Sequence, residues 1–504
     1  MNRLTIGCMT VLLVLAVRLS AQDAGTFEPV RKQIRDSLSD GSVPSVAVAV
    51  AKDGKILWEE GFGWADREQK QPATAHTAYN IASVTKPVTA TAIMRLVQDG
   101  KIDLDAPANL YLEDFQVTPF PGDLKGPTVR ELLMHRSGLP AHWQSWNLAE
   151  LKLRPAFSEI ARRYAFAAWP RGERYEYSNL GYGVLGEMGA HLSGRPYADF
   201  IQEEVFRPLQ MRDSFVGPTS KTDGVASPYS GLKRIELNDG DTPASGAAFS
   251  SVHDLALFGI FHLGALAPGQ ERILTDANLQ AMRNSSLETS GTERYGMGWS
   301  LNTDMLGLSI VSHSGANPGY ESSLLLVPSE KIVIAVLTNS NNSLPSNLTR
   351  EILMQLLPSF RARVEEILSH QAEKLQPSQS QPAAIPAPPA PEALTGKWAG
   401  KVHTYAGEIP LTLWCSKEGE VRIQLGDQLI SLVNDVDFNG GSGLSGFALG
   451  DLGTPDDSRL TYDLKIDLTR NGDRMYGVLS THERRGDRLE RPSGELAYFA
   501  ELAR

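Results

Sequence analysis

Apolar residues in the first two thirds of the chain follow two spacings, which predict strands at both ends and mostly helices between them. Two apolar runs joined by Asp53-Gly54, Ser45–Ala51 and Ile56–Phe62, predict a β-hairpin near the N-terminus. Three later runs predict strands at the other end of this region: Gly307–His313, Ser322–Val327 and Ile332–Thr338. The expected fold class is therefore α/β of the α+β kind. One antiparallel sheet is built from both ends and flanked by helices, and an all-helical region lies between. Within the region between, the pattern over Val252–His262 predicts one of the helices.

One predicted helix, which ends before Gly100, carries a hydroxyl and an amine on the same face. Its apolar positions recur at helical spacing: Val84, Val88, Ala92, Leu96 and Val97. Pro87 is close enough to the helix start to be tolerated. Ser83 and Lys86 are i and i+3 neighbours, whose Cβ atoms lie about 5–6 Å apart on a helix. The lysine nitrogen can therefore reach the serine oxygen.

The Ser83 and Lys86 pair has the chemistry of an activated nucleophile. A serine hydroxyl attacks a carbonyl readily only when a neighbouring group takes its proton, and a lysine can do so when burial or nearby positive charge lowers its pKa. The helix N-terminus offers N–H groups to a developing oxyanion. Because Ser-x-x-Lys also arises by chance, a helix cap with a solvated lysine is the alternative interpretation. The pair needs support from the rest of the chain.

The composition changes near the end of the first region. Residues 372–392 contain six prolines among Gln, Ser and Ala, which predicts a linker. Residues 393–504 alternate between apolar and polar positions, as from Leu460 to Leu468 before Asn471-Gly472, and show almost no helical periodicity. We therefore expect a first domain over residues 26–365 and a separate antiparallel β barrel or sandwich after the linker.

The N-terminus and the charge indicate an exported protein. Residues 1–21 contain no acidic residue and place Arg3 before an apolar run, Val11–Val17, with Ser20-Ala21 at the end, which is typical of a secretory signal peptide. The run is too short to span a bilayer. The formal net charge is −11, and −13 once Arg3 and Arg18 leave with this segment. A nucleic acid partner is not expected at such a charge.

Cysteine usage is compatible with this location. The chain has two cysteines, and Cys8 lies in the predicted signal peptide, so Cys415 has no partner for an internal disulfide. Exported proteins without disulfides are common in the bacterial periplasm. We expect a secreted or periplasmic protein that is soluble after signal cleavage and has no stable membrane insertion.

A glycine-rich stretch offers a competing interpretation. Gly181-Tyr182-Gly183-Val184-Leu185-Gly186 matches G-x-G-x-x-G, and Asp199 lies at about the distance of a ribose-binding acid. The preceding segment, however, is charged rather than a buried apolar strand, and the next predicted element is a helix, Pro196–Val205. These glycines therefore predict close backbone packing rather than a dinucleotide site.

Three short motifs support the nucleophile hypothesis, and their order along the chain is distinctive. They are Ser83-x-x-Lys86, Tyr177-Ser178-Asn179 and His313-Ser314-Gly315. Further segments accompany them: Leu132–Pro140, Leu180-Gly181-Tyr182, Tyr295–Trp299 and Pro318-Gly319-Tyr320. In this order the motifs resemble those of the serine β-lactamase-related hydrolases, which include class C β-lactamases, family VIII carboxylesterases and D-aminopeptidases. The resemblance covers about two thirds of the chain and implies a β-lactamase/transpeptidase-like fold.

The resemblance implies a role for each motif residue. Ser83 would form the acyl-enzyme, and Lys86 would hold Ser83 and lower the pKa of Tyr177. Tyr177 would carry the proton to the leaving group, and whether Lys86 or Tyr177 is the base stays open. Asn179 would donate a hydrogen bond to the substrate or contact Lys86.

The third motif would supply part of the oxyanion hole and of the substrate site. The backbone N–H groups of Ser83 and Ala316 would bind the oxyanion, with Ala316 directly after Gly315. Class C β-lactamases carry Lys-Thr-Gly here, and the lysine charge helps to fix a substrate carboxylate. His313 is mostly neutral at pH 7 unless its pKa is raised, so it favours an esterase or D-aminopeptidase over a β-lactamase. We expected it to donate a hydrogen bond near the nucleophile.

The sequence therefore predicts an exported serine hydrolase that cleaves an ester or amide bond of a small or peptide-like substrate through an acyl-enzyme on Ser83. A β-lactamase or peptidoglycan D,D-peptidase is the alternative within enzymes, and a sensor that is acylated without turnover is the alternative outside them. No cofactor and no metal are expected, because the chain has no His-Glu-x-x-His motif and its ten histidines are scattered. The C-terminal β domain resembles the lipocalin-like accessory domains of some of these hydrolases.

Overall fold

The computed structural model describes residues 25–217, 224–284, 288–290, 292–374, 389–460, 462–483 and 494–504. The predicted signal peptide at residues 1–21 and the centre of the predicted linker lie outside these ranges. No helix within the described ranges is both long and apolar enough to cross a membrane.

The helices, in chain order, have these bounds: α1 Glu28–Ser39, α2 Thr85–Gln98, α3 Val129–Leu133, α4 Phe157–Tyr164, α5 Asn179–Ser193, α6 Tyr197–Ile201, α7 Pro243–Gly246, α8 Val252–His262, α9 Asp276–Met282, α10 Leu344–Leu356 and α11 Pro358–Lys374. The expected helix at Val252–His262 is confirmed residue for residue. Helix α11 extends to Lys374, into the segment that we expected to be linker.

The strands of the first region, in chain order, are β1 Ser45–Lys52, β2 Lys55–Asp66, β3 Gln71–Pro72, β4 Tyr79–Asn80, β5 Trp143–Asn147, β6 Phe215–Val216, β7 Tyr229–Ser230, β8 Lys233–Arg234, β9 Asn238–Gly240, β10 Ala248–Ser250, β11 Glu288–Ser290, β12 Glu293–Tyr295, β13 Ser300–Met305, β14 Leu308–Asn317, β15 Tyr320–Val327 and β16 Ile332–Thr338. Those of the second region are β17 Gly396–Thr404, β18 Gly407–Cys415, β19 Val421–Leu425, β20 Ser431–Leu432, β21 Asn434–Asp437, β22 Gly443–Ala448, β23 Tyr462–Asn471, β24 Arg474–Glu483, β25 Gly494–Glu495 and β26 Ala497–Ala503.

The main sheet joins strands from both ends of the first region. Its order is β11-β12-β13-β14-β15-β16-β1-β2-β3, and the pairs from β11 to β2 are antiparallel neighbours. Strand β1 pairs with β16 so that Val48 faces Val336 across the ladder. The predicted antiparallel sheet with flanking helices is thus confirmed.

Strand β1 is buried on both faces because helices cover both sides of the sheet. Its valines at 46, 48 and 50 pack in the cluster that includes residues of α1 and α10. Its alanines at 47, 49 and 51 face the larger core, where α8 contacts β1 and β16. A Cβ on Gly259 of α8 would lie 2.4 Å from Val333 Cγ1, so the small residue lets this helix approach the sheet closely. Burial of each valine side chain contributes roughly 1.5–3 kcal/mol.

Residues after the linker form a nearly closed antiparallel β barrel rather than a sandwich. The strand order is β20-β19-β18-β17-β26-β24-β23-β22-β21. Strands β23 and β24 form a hairpin around Asn471-Gly472, since Asn471 pairs with Arg474. Alternate residues of β23 point into the barrel, among them Leu464, Ile466 and Leu468, which are fully buried.

The barrel packs against the first region of the chain. Strand β25 pairs with β5, which in turn pairs with β9. Asp456 of the barrel accepts hydrogen bonds from Tyr164, at 2.7 Å, and from Arg163, at 2.9 Å. The guanidinium of Arg459 lies 3.4 Å from the ring centroid of Trp146, which is buried. Trp146 therefore packs at the contact between the barrel and the first region.

Candidate active site

The turn that carries Ser83 is a short 3-10 segment, Ala82–Val84, directly before α2. Ala82 has φ of 45°, a left-handed conformation that costs energy for a residue with a side chain. Its N–H donates to Asn80 Oδ1 at 2.9 Å, and Asn317 Nδ2 donates to the same oxygen at 2.8 Å. Asn317 Nδ2 also donates to Gly246 O at 3.1 Å. These contacts hold the strained turn in place.

Lys86 lies one helical turn after Ser83 and is fully buried. Its Nζ is 3.0 Å from Ser83 Oγ, 2.7 Å from Asn179 Oδ1 and 3.0 Å from the carbonyl oxygen of Ser245. Burial lowers the pKa of Lys86 well below its ordinary value of 10.5. The structure therefore places the hydroxyl of Ser83 and the amine of Lys86 close together, as the helical spacing predicts.

The partners of Lys86 define how a neutral amine would be oriented. A neutral amine has two N–H groups and one lone pair. The oxygens of Asn179 and Ser245 can accept both N–H groups, because a carbonyl oxygen accepts and does not donate. The lone pair is then left for the hydroxyl proton of Ser83, which is the arrangement that general-base activation requires.

Tyr177 lies over the same amine. Lys86 Nζ is 4.6 Å from the centroid of the Tyr177 ring. Burial raises the pKa of Tyr177 above its ordinary value of 10.0, and contact with the Ser83 hydroxyl only partly opposes this effect. Our expectation that Lys86 lowers the pKa of Tyr177 is thus wrong for the resting site. Burial disfavours the charged phenolate and is the dominant influence on this pKa.

The loop that holds Tyr177 is fixed by its next residue, Ser178. Ser178 is the N-cap of α5: its Oγ accepts from Gly181 N at 3.1 Å and donates to Pro140 O at 2.8 Å. Asn179 is the first residue of the helix and meets Lys86, one of the two partners that we expected for it. The motif residues Tyr177 and Asn179 therefore flank a capping serine.

The glycines of α5 serve close packing. A Cβ on Gly183 would lie 2.2 Å from Phe157, on Gly186 2.5 Å from Ala244 Cβ, and on Gly189 2.4 Å from Phe200. Helix α5 therefore lies directly against its neighbours, including α7, which supplies Ser245 to Lys86. Ser245 lacks any motif in the sequence and was missed.

His313 is neutral and engaged within the protein. Its Nδ1 is 2.7 Å from the carbonyl oxygen of Ser314 and therefore carries the proton, and its Nε2 accepts from the hydroxyl of Tyr295 at 3.0 Å. Burial lowers the pKa of His313 to about 3. The histidine thus has no N–H left for a substrate, contrary to our expectation that it donates a hydrogen bond there. The third motif, His313-Ser314-Gly315, therefore carries no positive charge at its first residue.

Gly315 lies against the nucleophile turn. A Cβ at this position would be 2.4 Å from Ile81 O and 2.7 Å from Ser83 N, so only glycine fits. The next residue, Ala316, is exposed at the end of the pairing between β14 and β15. The structure therefore places Ser83 N beside the strand that carries Ala316, as an oxyanion hole built from the two N–H groups requires.

His135 is a further buried residue that touches the site. Its Nδ1 accepts from Ser178 N at 3.1 Å, and its ring centroid lies 4.4 Å from that of Tyr177 and 4.6 Å from that of Tyr295. Burial lowers its pKa well below 6.5, so it is a neutral hydrogen-bond acceptor that fixes the Tyr177 loop.

The barrel also reaches this loop. Arg174 Nη2 donates to Asp467 of β23 at 2.9 Å and to Glu176, the neighbour of Tyr177. The guanidinium stacks on Trp169, with 3.9 Å from the Arg174 Cζ to the ring centroid. No sequence pattern indicated this contact, because it joins residues from two domains.

Comparison with known proteins agrees with this geometry. The beta-lactamase family profile matches residues 30–358, and the chain belongs to this family. It is 27% identical to Protein flp of Staphylococcus aureus strain MW2 over 333 residues, which are 64% of this chain and 65% of that protein. The chain thus spans about 65% of the length of this curated relative.

Two solved structures are similar in fold. The octameric penicillin-binding protein homologue from Pyrococcus abyssi has a TM-score of 0.58 and 22% identity, and the match covers 94% of this chain and 99% of that chain. The D-amino acid amidase from Ochrobactrum anthropi SV3, complexed with D-phenylalanine, has a TM-score of 0.53 and 25% identity over 68% of this chain and 99% of that chain. The predicted resemblance to serine β-lactamase-related hydrolases is confirmed.

Proposed function

We propose that this protein is a serine hydrolase that cleaves an ester or an amide bond through an acyl-enzyme on Ser83. The observation that carries the proposal is the coordination of Lys86. Its buried amine has two oxygen acceptors, on Asn179 and Ser245, and lies 3.0 Å from Ser83 Oγ. Its lone pair is thereby available to the nucleophile.

Acylation follows from this arrangement. Lys86 Nζ takes the proton of Ser83 as Oγ attacks the substrate carbonyl carbon, and the carbonyl oxygen gains a negative charge that the N–H groups of Ser83 and Ala316 bind. Tyr177 O–H donates its proton to the leaving alcohol or amine and recovers one from the Lys86 ammonium. The carbonyl reforms as the bond to the leaving group breaks.

Deacylation reverses the proton path. A water molecule enters where the leaving group departed and gives one proton to Tyr177 as it attacks the acyl carbon, while Tyr177 passes its own proton to Lys86. Ser83 Oγ leaves and regains its proton, so the net reaction adds one water across the ester or amide. The raised pKa of Tyr177 keeps its phenol protonated between turnovers.

The substrate is more consistent with an ester or a D-amino acid amide than with a β-lactam. A β-lactam carries a carboxylate that a cationic third motif binds well, whereas His313 is neutral and uses both ring nitrogens inside the protein. The likeness to a D-amino acid amidase supports an amide of a small or peptide-like substrate. The N-terminal segment supports export to the periplasm or beyond.

The test is a time course of the purified mature protein with a short-chain p-nitrophenyl ester, a D-alanine anilide and a chromogenic cephalosporin, combined with mass spectrometry for an adduct on Ser83. We expect steady turnover of the ester or the anilide that exceeds turnover of the cephalosporin. Faster cephalosporin turnover would instead identify a β-lactamase. A stoichiometric burst with a lasting adduct would identify an acylated sensor.

Ser83→Ala isolates the nucleophile. This variant loses one oxygen atom and little packing, so it should fold but neither turn over substrate nor react with a serine-reactive probe. Ser39→Ala is the matched control, because Ser39 is exposed and its hydroxyl bonds only the Arg35 carbonyl of its own helix, at 2.8 Å. Labelling of Ser83→Ala at the wild-type level would overturn the assignment.

A further inference from the structure

A second group of ligating side chains lies on elements away from the catalytic residues. Glu59 is on β2, His76 lies in the loop between β3 and β4, and His253 is the second residue of α8. One ligand atom from each of the three residues lies within 4.8 Å of the other two. The imidazole ring centroids of His76 and His253 lie 4.6 Å apart, and the ring planes are tilted by 40°.

The fold holds these three elements together by backbone contacts. His253 N donates to Ala75 O at 3.2 Å, which fixes the start of α8 to the loop of His76. The loop is closed by Thr77 N, which donates to Thr74 O at 3.1 Å. A Cβ on Gly61 of β2 would lie 2.4 Å from Thr74 Cα, so the loop lies directly on the strand that carries Glu59. The arrangement is therefore built by the scaffold.

Carboxylates orient both rings. His76 Nδ1 is 2.9 Å from Asp213 Oδ2, and His253 Nδ1 is 2.8 Å from Glu59 Oε2. Asp213 is itself held by the hydroxyl of Ser251, at 3.0 Å. The Asp213 carboxylate on Nδ1 fixes the His76 ring and directs its Nε2 outward, which is how metal-binding histidines are commonly supported. Glu59 Oε2 and His253 Nδ1 are instead adjacent donors, and a metal ion between them would replace the proton that they share.

The surroundings admit a small ion. His76, His253 and Asp213 line a cavity of about 550 Å³. Two cationic residues, Lys55 and Arg212, and two carboxylates, Asp213 and Asp254, also line it.

We propose that Glu59, His76 and His253 form a binding site for a divalent transition metal ion, with zinc as the best match, and that Asp213 positions His76. Two imidazoles and one carboxylate suit zinc and its neighbours, whereas calcium and magnesium prefer oxygen ligands alone. Bond lengths of about 2.0–2.2 Å require the three donors to draw together from their present separation. The ion would join β2, α8 and the loop that leads to the nucleophile turn.

This proposal departs from the sequence-based expectation of no metal. Glu59 and His253 are far apart in the chain, and no spacing rule for zinc ligands joins them to His76. A structural alternative is a pair of independent ion pairs, His76 with Asp213 and His253 with Glu59. The two readings differ in whether the three residues act as one unit toward a metal.

The experiment uses the mature chain without an affinity tag, stripped with a chelator and dialysed into metal-free buffer. Zn²⁺ is titrated by calorimetry, bound metal is counted by mass spectrometry, and thermal unfolding is followed with Zn²⁺, Mg²⁺ or Ca²⁺. We expect one Zn²⁺ per chain and a higher Tm with Zn²⁺ only, because a ligand that binds the folded state stabilises it. Co²⁺ in place of Zn²⁺ should give a visible absorption spectrum of a low-coordinate site.

Variants distinguish metal binding at this site from metal binding by other histidines of the chain. His76→Ala and His253→Ala should each abolish stoichiometric uptake, and Asp213→Asn should weaken it by about 10–100-fold. His403→Ala is the matched control, since His403 also contacts two carboxylates, Glu408 and Glu501, but on the barrel. Circular dichroism reports whether each variant is folded.

Three results would overturn the proposal. These are no stoichiometric Zn²⁺ on the wild-type chain, uptake that survives in both His76→Ala and His253→Ala, and uptake lost equally in His403→Ala. Metal binding is measured without any turnover, so its failure is independent of whether the protein hydrolyses the substrates proposed above.

Discussion

The Lys86 amine is the group on which acylation should depend most. We expect Lys86→Met, which keeps a side chain of similar length in the buried space, to slow acylation by about 10²–10⁴-fold, the usual contribution of a positioned base. The measurement is the single-turnover rate of adduct formation on Ser83. Lys101→Ala, at an exposed position just after α2, is the control and should acylate normally. An unchanged rate in Lys86→Met would remove this residue from the mechanism.

The pH profile should report the burial of the same amine. Burial lowers the pKa of Lys86 well below 10.5, and only the neutral amine above that pKa can accept a proton. The value of kcat/KM should therefore rise with pH and level off well below pH 10.5. Burial raises the pKa of Tyr177 above 10.0, so no falling limb from loss of its proton is expected below about pH 10. A bell-shaped profile centred near neutrality would contradict these two shifts.

The residues that meet at Ser83 differ in how well the sequence reveals them. Ser83 and Lys86 are one helical turn apart, so periodicity alone brings them together. Asn80, Ser245 and His135 reach the site only through tertiary contacts, and no local spacing marks such residues. The resting charge state of the site also depends on burial, which the sequence does not give for a single lysine or tyrosine.

Strand β14 and the nucleophile turn form the closest contact between elements at the site. We predict that Gly315→Ala lowers stability by about 1–3 kcal/mol and reduces acylation, because its Cβ would press on Ile81 O and Ser83 N. Denaturant unfolding and adduct formation on Ser83 measure the two effects. Gly240→Ala is the matched control on another strand, where the nearest atom would be 3.9 Å from the new Cβ. Equal behaviour of both variants would show that this contact is not tight.

The bounds of helices and strands were predicted correctly where the apolar pattern is regular. They were predicted less well where tertiary contacts determine the residue at which an element ends. Val252–His262 and Ile332–Thr338 match the predicted bounds because their apolar patterns begin and end sharply. Strand β14 continues to Asn317, past the polar His-Ser-Gly motif, because β15 pairs with it throughout. Short strands such as β5, β9 and β25 were missed, since two or three paired residues leave no periodic signal.

At the scale of the whole molecule, the barrel is docked on the face that carries the Tyr177 loop. The contacts that hold it there include those of Asp456 with Tyr164 and Arg163, and that of Arg459 with Trp146. Strand β25 adds main-chain pairing to β5. Because the barrel is fixed at several points, a small displacement of the barrel can reach the Tyr177 loop through the contact between Asp467 and Arg174.

Asp467→Asn should therefore lower kcat while the barrel stays docked. The neutral amide weakens the hold on Arg174, which also binds Glu176 next to Tyr177, so the phenol would lose alignment. We expect kcat to fall by about 5-fold, equivalent to about 1 kcal/mol, with little change in KM or Tm. Asp437→Asn is the matched control, because its carboxylate only accepts from Asn439 N within the barrel, at 2.8 Å. If Asp467→Asn retained full kcat, the barrel would stabilise the chain without positioning Tyr177. A lower Tm with an unchanged kcat would lead to the same conclusion.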